Sequence, residues 1–476
     1  SRMIRKFLWF VPGFLMLLGG CSVGPKYAKP TVPSAPLYTE PPPAGWKNAQ
    51  PADGEIKGKW WELFGDSQLN ALEDQVAPAN QSLKIAEANF RQARAQIQIA
   101  RSRLFPTVGT APSISHNRTS TNSPSGVPGR QFGFFDLPVD VSWDIDFWGR
   151  IRRGITSATE QYQASAADLE NVKLQLEAEL AADYFEARSL DAQKRILDDT
   201  VVAYQKALDL TRNRYNGGVA SRVEVAQAQT QLNQTEAQAM DVNAARAQFQ
   251  HAIAVLIGKT PETYTLPPMP LQGPPPAIPV GLPSQLLERR PDIAIAERQV
   301  AVANEQIGIA QSAFFPDLVL TATGGFSAGS IVNWFTWPSR FWSVGPTLAE
   351  TIFDAGRRRA QVQITEAAYD ATAANYRQTS LVALQEVEDN LSSLRILEDE
   401  AAKQHEATAA AEDSLQLSLN RYKGGLVTYL EVITAQSIAL TNERTEVDLL
   451  RRRMAASVQL IKALGGGWNV SQLPTS

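Results

Sequence analysis

The clearest pattern of hydrophobic and polar positions in this chain is a strict alternation. Its apolar positions are Val139, Val141, Trp143, Ile145 and Phe147, and the positions between them are Asp140, Ser142, Asp144 and Asp146. A period of two is typical of a β-strand with one apolar and one polar face. The aromatic residues suit a membrane interface, and the length is close to the roughly ten residues of a tilted membrane strand. The pattern therefore predicts a membrane strand, or alternatively a strand half-buried in a soluble sheet.

Two long segments without proline, one after Gly149 and one after Gly356, have a helical pattern. Each would extend roughly 100 Å as a helix at about 1.5 Å per residue. Apolar residues recur at coiled-coil spacing along the first, at Leu169, Val172, Leu176, Leu180, Ala187, Leu190, Leu197, Val201, Tyr204 and Leu208. We expect two long coiled-coil helices, each followed by a returning helix, Val219–Ile257 and Val427–Leu464.

The turn between each long helix and its returning helix reads Tyr-x-Gly-Gly. We expect its glycines, Gly217, Gly218, Gly424 and Gly425, to supply positive φ angles for a tight reversal.

Shorter elements precede each long helix. Helical patterns at Leu69–Leu104 and Gln285–Phe314 both end at Phe-Pro, because proline stops a helix. The further predicted strands are Thr107–Thr119, Leu318–Ser327 and Trp342–Phe353. The last is less regular, since Glu350 falls on its apolar face.

The sequence contains an internal duplication. Asn213–Gly218 recurs as Asn420–Gly425, and blocks upstream and downstream recur in the same order. Such repetition predicts one structural unit in two copies. We place the repeats at residues 67–258 and 282–465, joined by a proline-rich linker, 259–281, and followed by a tail, 466–476. Each repeat is expected to contain a helix, two strands, a long helix, a turn and a returning helix.

The beginning of the sequence has the features of an export signal. Basic residues precede an apolar run, Phe7–Leu18, which is too short to span a bilayer. Leu18-Gly19-Gly20-Cys21 resembles the lipobox of bacterial lipoproteins. We therefore expect a signal peptide at residues 1–20, diacylglycerol and a fatty acyl group on Cys21, and a lipidated tether at 21–66. Ser22 favours sorting to the outer membrane, and the alternative for Cys21 is an ordinary buried thiol.

Composition and motifs narrow the function classes. The net charge of −4 and dispersed basic residues argue against a nucleic-acid partner. The three histidines share no motif spacing, so the sequence suggests neither a metal site nor a histidine-based triad. Walker and dinucleotide glycine motifs are absent from the sequence. We expect no enzymatic activity and no cofactor apart from the lipid on Cys21.

Four strands with an apolar face cannot remain an open sheet in a bilayer, because their edge N–H and C=O groups would lack partners. Several chains must then close one barrel, and even strand counts permit two, three or four chains. The same closure would arrange the long helices as a second tube, with polar residues inside. A passive solute conduit is one interpretation. The competing one is a structural coiled-coil lipoprotein that bridges periplasmic layers.

The sequence resembles TolC-like outer-membrane efflux factors, in the lipoprotein (NodT-type) branch. The motifs that carry the resemblance are Cys21–Tyr27, Trp60-Trp61, Asp146–Arg150, Arg289–Ile293, Phe353–Arg357, the two Arg-Tyr-x-Gly-Gly turns and Ala463–Trp468. The resemblance implies a mainly α fold with a transmembrane β part: a homotrimer with a twelve-stranded β-barrel on an α-helical barrel. It also implies a periplasmic membrane-fusion adaptor, an inner-membrane pump of the RND type, and lipid anchoring in the outer membrane with extension into the periplasm. A type I protein secretion duct is the alternative within this class.

Transferred to this chain, the resemblance places the periplasmic tip at two tip turns, Arg214–Ser221 and Arg421–Thr428. We expect Arg214, Tyr215, Arg421 and Tyr422 to close the pore through interhelix bonds, or alternatively only to pack and cap the turns. Family members often carry carboxylates at the second turn, whereas Leu426-Val427-Thr428 offers none.

The alternating strand supplies the second set of candidate residues. Repeated around a barrel, Asp140, Asp144 and Asp146 predict a negative lumen that prefers cations. The alternative is solvated carboxylates with no effect on transport.

Overall fold

The structure is a computed structural model that describes residues 22–32, 37–40, 58–122, 127–278 and 285–474. The expected signal peptide and Cys21 lie outside the described residues. After a short 3-10 helix, Trp60–Phe64, the first repeat contains α1 (Ser67–Ala79), α2 (Gln81–Ser102), β1 (Thr107–Thr110), β2 (Ser113–Arg118), β3 (Gln131–Asp144), α3 (Arg150–Asn216) and α4 (Arg222–Leu256). The second contains α5 (Leu286–Arg289), α6 (Pro291–Ser312), β4 (Asp317–Ala328), β5 (Arg340–Ala349), α7 (Arg357–Lys423) and α8 (Tyr429–Ala463).

The long helices are confirmed, and the two have equal length. Helices α3 and α7 contain 67 residues each, and the returning helices α4 and α8 contain 35 each. Gly149 and Gly356 precede the long helices with φ angles of 83° and 90°, a left-handed conformation that glycine adopts at little cost. The sequence repetition therefore corresponds to two copies of one helical hairpin. Within the described part of the chain, no helix is both long and apolar enough to cross a membrane.

The opening helices are interrupted, contrary to the continuous patterns predicted. Asn80 separates α1 from α2 because its ψ of 129° is extended, and its side chain caps α2 by accepting a hydrogen bond from Leu83 N (3.1 Å). Its amide also donates to Leu256 O at 2.8 Å. In the second repeat the break falls at Arg290, since the residue before a proline is driven out of the helical region.

The strands form one antiparallel sheet in the order β1/β2, β3, β4, β5. Strands β1 and β2 pair with β3 in one continuous register, Thr107 opposite Ser142 and Arg118 opposite Gln131, so they act as a single interrupted strand. The interruption contains Pro112, which has no N–H to donate to the ladder. The prediction of two strands per repeat is confirmed in this sense.

Two strand boundaries differ from the prediction. Strand β3 begins at Gln131 and ends at Asp144, so Ile145, Asp146 and Phe147 lie beyond it. Strand β5 ends at Ala349, which places Glu350 outside the strand and removes its apparent conflict with the apolar face.

The main hydrophobic core joins the two repeats part-way along the long helices. Its most deeply buried members come from the 3-10 helix, α1, α3, α4, α7 and α8: Trp60, Leu69, Leu180, Tyr184, Ile253, Leu391 and Leu460. A second core lies at the tip turns. Between these cores lies a smaller hydrophobic cluster from α3, α4 and α8, which includes Leu197, Val242 and Leu440.

The N-terminal part of the described chain is an extended strap, residues 22–32 and 37–40, which lies against both repeats without forming helix or strand. Among its hydrogen bonds, four of 2.7 to 3.1 Å join Val23 to Trp148, Tyr27 to Glu297, and Thr39 and Glu40 to Glu388. The strap therefore runs from the junction of sheet and helices to the main core.

Candidate functional site

Each tip turn uses one left-handed glycine, not two. Gly218 and Gly425 have φ angles of 73° and 75°, as predicted. Gly217 and Gly424 have φ angles of −84° and −75°, so the expectation of positive φ at these two positions is wrong. They still end the helix, because their N–H groups bond back to the last turn.

The two tip turns are joined through Arg214 and Tyr422. The Arg214 guanidinium donates from Nη1 to Tyr422 O at 2.8 Å and lies 4.6 Å from the centre of the tyrosine ring. Tyr422 is 1% exposed, and its hydroxyl lies 3.2 Å from Glu224 Oε2 and 3.3 Å from Thr211 Oγ1. A side chain of the second repeat is thus held by three residues of the first.

The corresponding residues with the repeats exchanged, Arg421 and Tyr215, do not contact each other. Tyr215 is 45% exposed, and Arg421 contacts Glu431 within its own hairpin at 3.5 Å. The repeats are therefore similar in backbone but different in side-chain contacts at the tip.

The sequence did not single out three further residues of this cluster, Thr211, Glu224 and Tyr429. The Tyr429 ring packs 5.3 Å from that of Tyr422. Glu224 also forms a capping box with Ser221, and the Ser-x-x-Glu spacing would have marked this helix start. Burial raises the pKa of the Tyr422 hydroxyl, and the nearby Glu224 raises it further, so the phenol keeps its proton and acts as a donor.

Apolar side chains surround the cluster at the surface of both tip turns. Val219 and Val223 in the first repeat, and Leu426 and Leu430 in the second, are all more than half exposed. These four occupy corresponding positions in the two hairpins, so the tip presents the same apolar pair twice.

The sheet has one polar and one apolar face across its strands. On the polar face Asp140 lies opposite Thr323, whose hydroxyl donates to the aspartate at 2.7 Å, and Thr323 lies opposite Ser343. On the apolar face Val141, Ala322 and Val344 follow one another across the sheet. The alternation predicted for β3 thus extends over the sheet.

The three predicted carboxylates have different surroundings. Asp140 and Asp144 lie on β3, and Asp144 forms an ion pair with Arg150. Asp146 is not a strand residue, so its predicted place on the polar strand face is wrong. It accepts hydrogen bonds from the backbone N–H groups of Ile151 and Arg152 at 3.0 and 2.9 Å, and this holds the first turn of α3.

Asp136 lies on the polar face, four residues before Asp140, and the sequence analysis missed it because the predicted strand began at Val139. Its signal was the same period of two, continued upstream.

Within the described ranges, no group of three or more His, Cys, Asp or Glu side chains is placed to hold a metal ion. The histidines lie on separate elements, His116 on β2, His251 on α4 and His405 on α7.

Comparison with known proteins agrees with these features. The sequence profile of the family described as "Outer membrane efflux protein" matches residues 72–259 and again 282–466. The solvent efflux pump outer membrane protein SrpC of Pseudomonas putida is 31% identical over 463 residues, which cover 96% of this chain and 98% of SrpC. The cation efflux system protein CusC of Escherichia coli O6:H1 is 29% identical over 456 residues, which cover 95% of this chain and 97% of CusC.

Structural similarity covers the same extent. The outer-membrane channel OprN superposes with a TM-score of 0.86 at 29% identity, over 94% of this chain and 100% of the OprN chain. Channels of this kind are trimers that work with an adaptor and an inner-membrane pump in tripartite efflux systems, and they are not enzymes. The resemblance seen in the sequence is confirmed. The chain belongs to the outer membrane efflux protein family and has the fold of the TolC-like channels that lead out of the cell through the outer membrane.

Proposed function

We propose that three copies of this chain close into one continuous channel, a twelve-stranded barrel in the outer membrane above a helical tube in the periplasm. The observation that carries the proposal is the two-faced sheet. Its outer strands, β1/β2 and β5, each have one edge without a strand partner in the described chain. An open edge with an apolar face is unstable in hydrocarbon, and pairing β5 of one copy with β1/β2 of the next removes every edge.

The helices support the same closure. They contact one another in the order α4, α3, α8, α7, which leaves α4 and α7 at the two sides of the layer. Both outer helices carry exposed apolar residues along the length that they share, including Met240 and Val255 on α4 and Ile396 and Leu417 on α7. Contact between α7 of one copy and α4 of the next would bury these side chains at roughly 25 cal/mol per Å² of apolar area.

The tip turns supply the proposed gate. Arg214 and Tyr422 tie one hairpin to the other within a chain, and breaking their contacts would let the hairpins separate. Arg421 and Tyr215, which the sequence also suggested, are not joined to this contact and face outward. The exposed apolar pairs that begin at Val219 and Leu426 are the proposed contact surface for the adaptor. An apolar patch repeated around the tip would suit an adaptor that presents helical hairpins with apolar ends.

The polar face of the sheet is the proposed lumen. Asp136 and Asp140 would form a negative ring in it, while Asp144 is partly neutralised by Arg150. The second repeat has Ser343 and Thr347 at the positions that correspond to Asp136 and Asp140. Its carboxylate on the polar face is Asp317 on β4, which lies 3.7 Å from Arg150.

The anchor is the proposed lipid on Cys21. Ser22, the next residue, lies against Gly149, where the sheet joins the helices, and a Cβ added at this glycine would stand 3.2 Å from Ser22 Oγ. An acyl chain attached one residue earlier would therefore enter the bilayer at the level where the strands begin.

The cargo is proposed to be small molecules supplied by the inner-membrane pump, with the channel as a passive conduit. Similar proteins are named for solvent, toluene and cation efflux at nearly equal identity. Specificity among such different solutes is therefore expected in the pump that feeds the channel.

Purification of the full-length lipidated protein in mild detergent tests the assembly. Native mass spectrometry should give three chains, and planar bilayers should show discrete conductance steps. Val344→Lys should reduce the trimer in membranes, because a cation on the lipid face costs about 2–4 kcal/mol near the bilayer centre. Ser343→Lys, on the polar face, is the matched control and should assemble. A monomer without conductance, or equal effects of the two variants, would contradict the proposal.

A further inference from the structure

Two carboxyl groups are buried where the 3-10 helix Trp60–Phe64 docks on the long helix of the first repeat. Glu73 on α1 is 2% exposed and Glu177 on α3 is 6% exposed. Glu177 lies 27 residues into α3, so it is on the order of 40 Å along the helix from the sheet. Neither residue belongs to the tip or to the polar sheet face.

The two groups differ in what they contact. The Trp60 indole N–H donates to Glu177 Oε2 at 3.2 Å. Both carboxyl oxygens of Glu73 are buried, and no described residue forms a hydrogen bond with either of them. The negative charge of Glu177 also raises the pKa of Glu73. An ionised carboxylate without a cation or a donor is very costly to bury, whereas the neutral acid can be packed.

The charged groups around the pair do not compensate both carboxyl groups. Lys173, one turn before Glu177 on α3, lowers the pKa of Glu177, while Glu170 on the same helix raises it. Asp74 on α1 raises the pKa of Glu73, and its own carboxylate is held at the surface by Lys59 at 2.6 Å. The proton therefore belongs on Glu73, and the negative charge on Glu177 beneath the indole.

We propose that Glu73 and Glu177 form a proton-dependent clamp that fastens the segment after the strap to the long helix of the first repeat. With Glu73 neutral, the pair packs inside the main core. Loss of its proton places two like charges in that core, and the 3-10 helix and α1 open locally from α3. This inference does not depend on how many chains form the channel.

The direction of the pH dependence follows from the burial of both groups. Burial raises the pKa of Glu73 to about 10 and that of Glu177 to about 7, compared with 4.5 for a free side chain. Above pH 4.5 the opened segment releases protons that the closed segment keeps. Closure therefore weakens as pH rises, through about pH 7 for Glu177 and towards about pH 10 for Glu73.

Hydrogen exchange on the full-length channel tests the clamp. After correction for the intrinsic effect of pH, the protection of peptides within residues 58–79 should fall about tenfold or more between pH 6 and pH 8.5. Glu73→Gln, an isostere of the neutral acid, should remove most of this fall. Glu87→Gln, an exposed glutamate on α2, is the matched control and should behave like the wild type.

A second measurement detects the proton directly. The infrared C=O stretch of a protonated carboxyl group should persist in the wild type at pH 8, and it should be missing from Glu73→Gln. A wild type without this band, or equal pH dependence of exchange in the wild type and Glu73→Gln, would overturn the proposal.

Discussion

Tyr215 and Tyr422 occupy corresponding positions in the two repeats, yet one is half exposed and the other is buried. The difference comes from their neighbours. Arg214 reaches across to Tyr422, whereas Arg421 turns to Glu431 in its own hairpin. A symmetric pair of sequence motifs therefore produces a single Arg–Tyr contact between the two hairpins of a chain.

Replacing Tyr422 by phenylalanine should weaken the closed tip. The substitution removes the hydroxyl contacts to Glu224 and Thr211, each with a net contribution of about 0.5–1.5 kcal/mol, and keeps the ring beneath Arg214. We expect more frequent or larger openings in single-channel recordings from planar bilayers.

Tyr215→Phe is the matched control, because its hydroxyl has no described hydrogen bond to lose at the equivalent position. Equal conductance of Tyr422→Phe, Tyr215→Phe and the wild type would place the closing contact elsewhere.

At the level of elements, the strap is fastened through Arg153 on α3. Its guanidinium pairs with Glu305 at 2.8 Å and donates to the carbonyl oxygens of Val23 and Pro25 at 2.6 and 3.0 Å. One buried cation thus holds α3, α6 and the strap together. Gly24 and Gly308 leave room for it by packing closely.

Arg153→Ala should release the strap, since breaking a buried ion pair costs about 3–5 kcal/mol. Limited trypsin digestion of the purified channel should then cut after Lys26 at least about tenfold faster, as expected for a local opening of this size. Arg152→Ala is the control, because Arg152 is more exposed and pairs only with Asp146. Resistance of Lys26 to trypsin in Arg153→Ala would show that other contacts hold the strap.

Elements with long periodic patterns were predictable from the sequence, whereas their boundaries were not. The long helices follow from regular apolar spacing between Gly149 and the Tyr-x-Gly-Gly turn. Strand β3 was cut short because Phe132 and Phe134 are apolar on the face that carries Asp140, which hides the alternation. It was extended too far because Phe147 continues the alternation after the chain has left the sheet.

Contacts between distant parts of the chain also could not be predicted from the sequence. The sequence gives no sign that Asn80 interrupts a helix, because its amide donates to Leu256 O, which is distant in the sequence. Similarly, sequence repetition pairs Arg214 with Arg421, while the fold pairs Arg214 with Tyr422. The candidate residues could be named from motifs, but their partners depend on tertiary packing.

At the scale of the whole molecule, the polar face of the sheet would line the pore once the barrel is closed. Among the described residues of this face, Asp136 and Asp140 have no ion-pair partner, whereas Asp144 and Asp317 both lie next to Arg150. Because Asp146 caps α3, it would contribute little to the potential inside the barrel.

Asp140→Asn should therefore lower the ratio of cation to anion permeability, measured from reversal potentials across a salt gradient. Asp146→Asn is the matched control, since it removes the same charge from a helix start and should leave the ratio unchanged. An unchanged ratio in Asp140→Asn would show that the selectivity arises outside the sheet.

The equal length of α3 and α7 has a mechanical consequence. Both arms contain 67 residues and start from corresponding glycines, so in the proposed trimer all arms would have the same length and end at one level. A rigid partner rotated by one arm would meet a rim of the same height, which sets its axial position without fixing its rotation. Rotation would be fixed only by the arms' unequal side chains, Tyr215 exposed on one and Tyr422 hidden on the next. The equal arm lengths would thus set the axial position of the partner, and the unequal tyrosines would set its rotation.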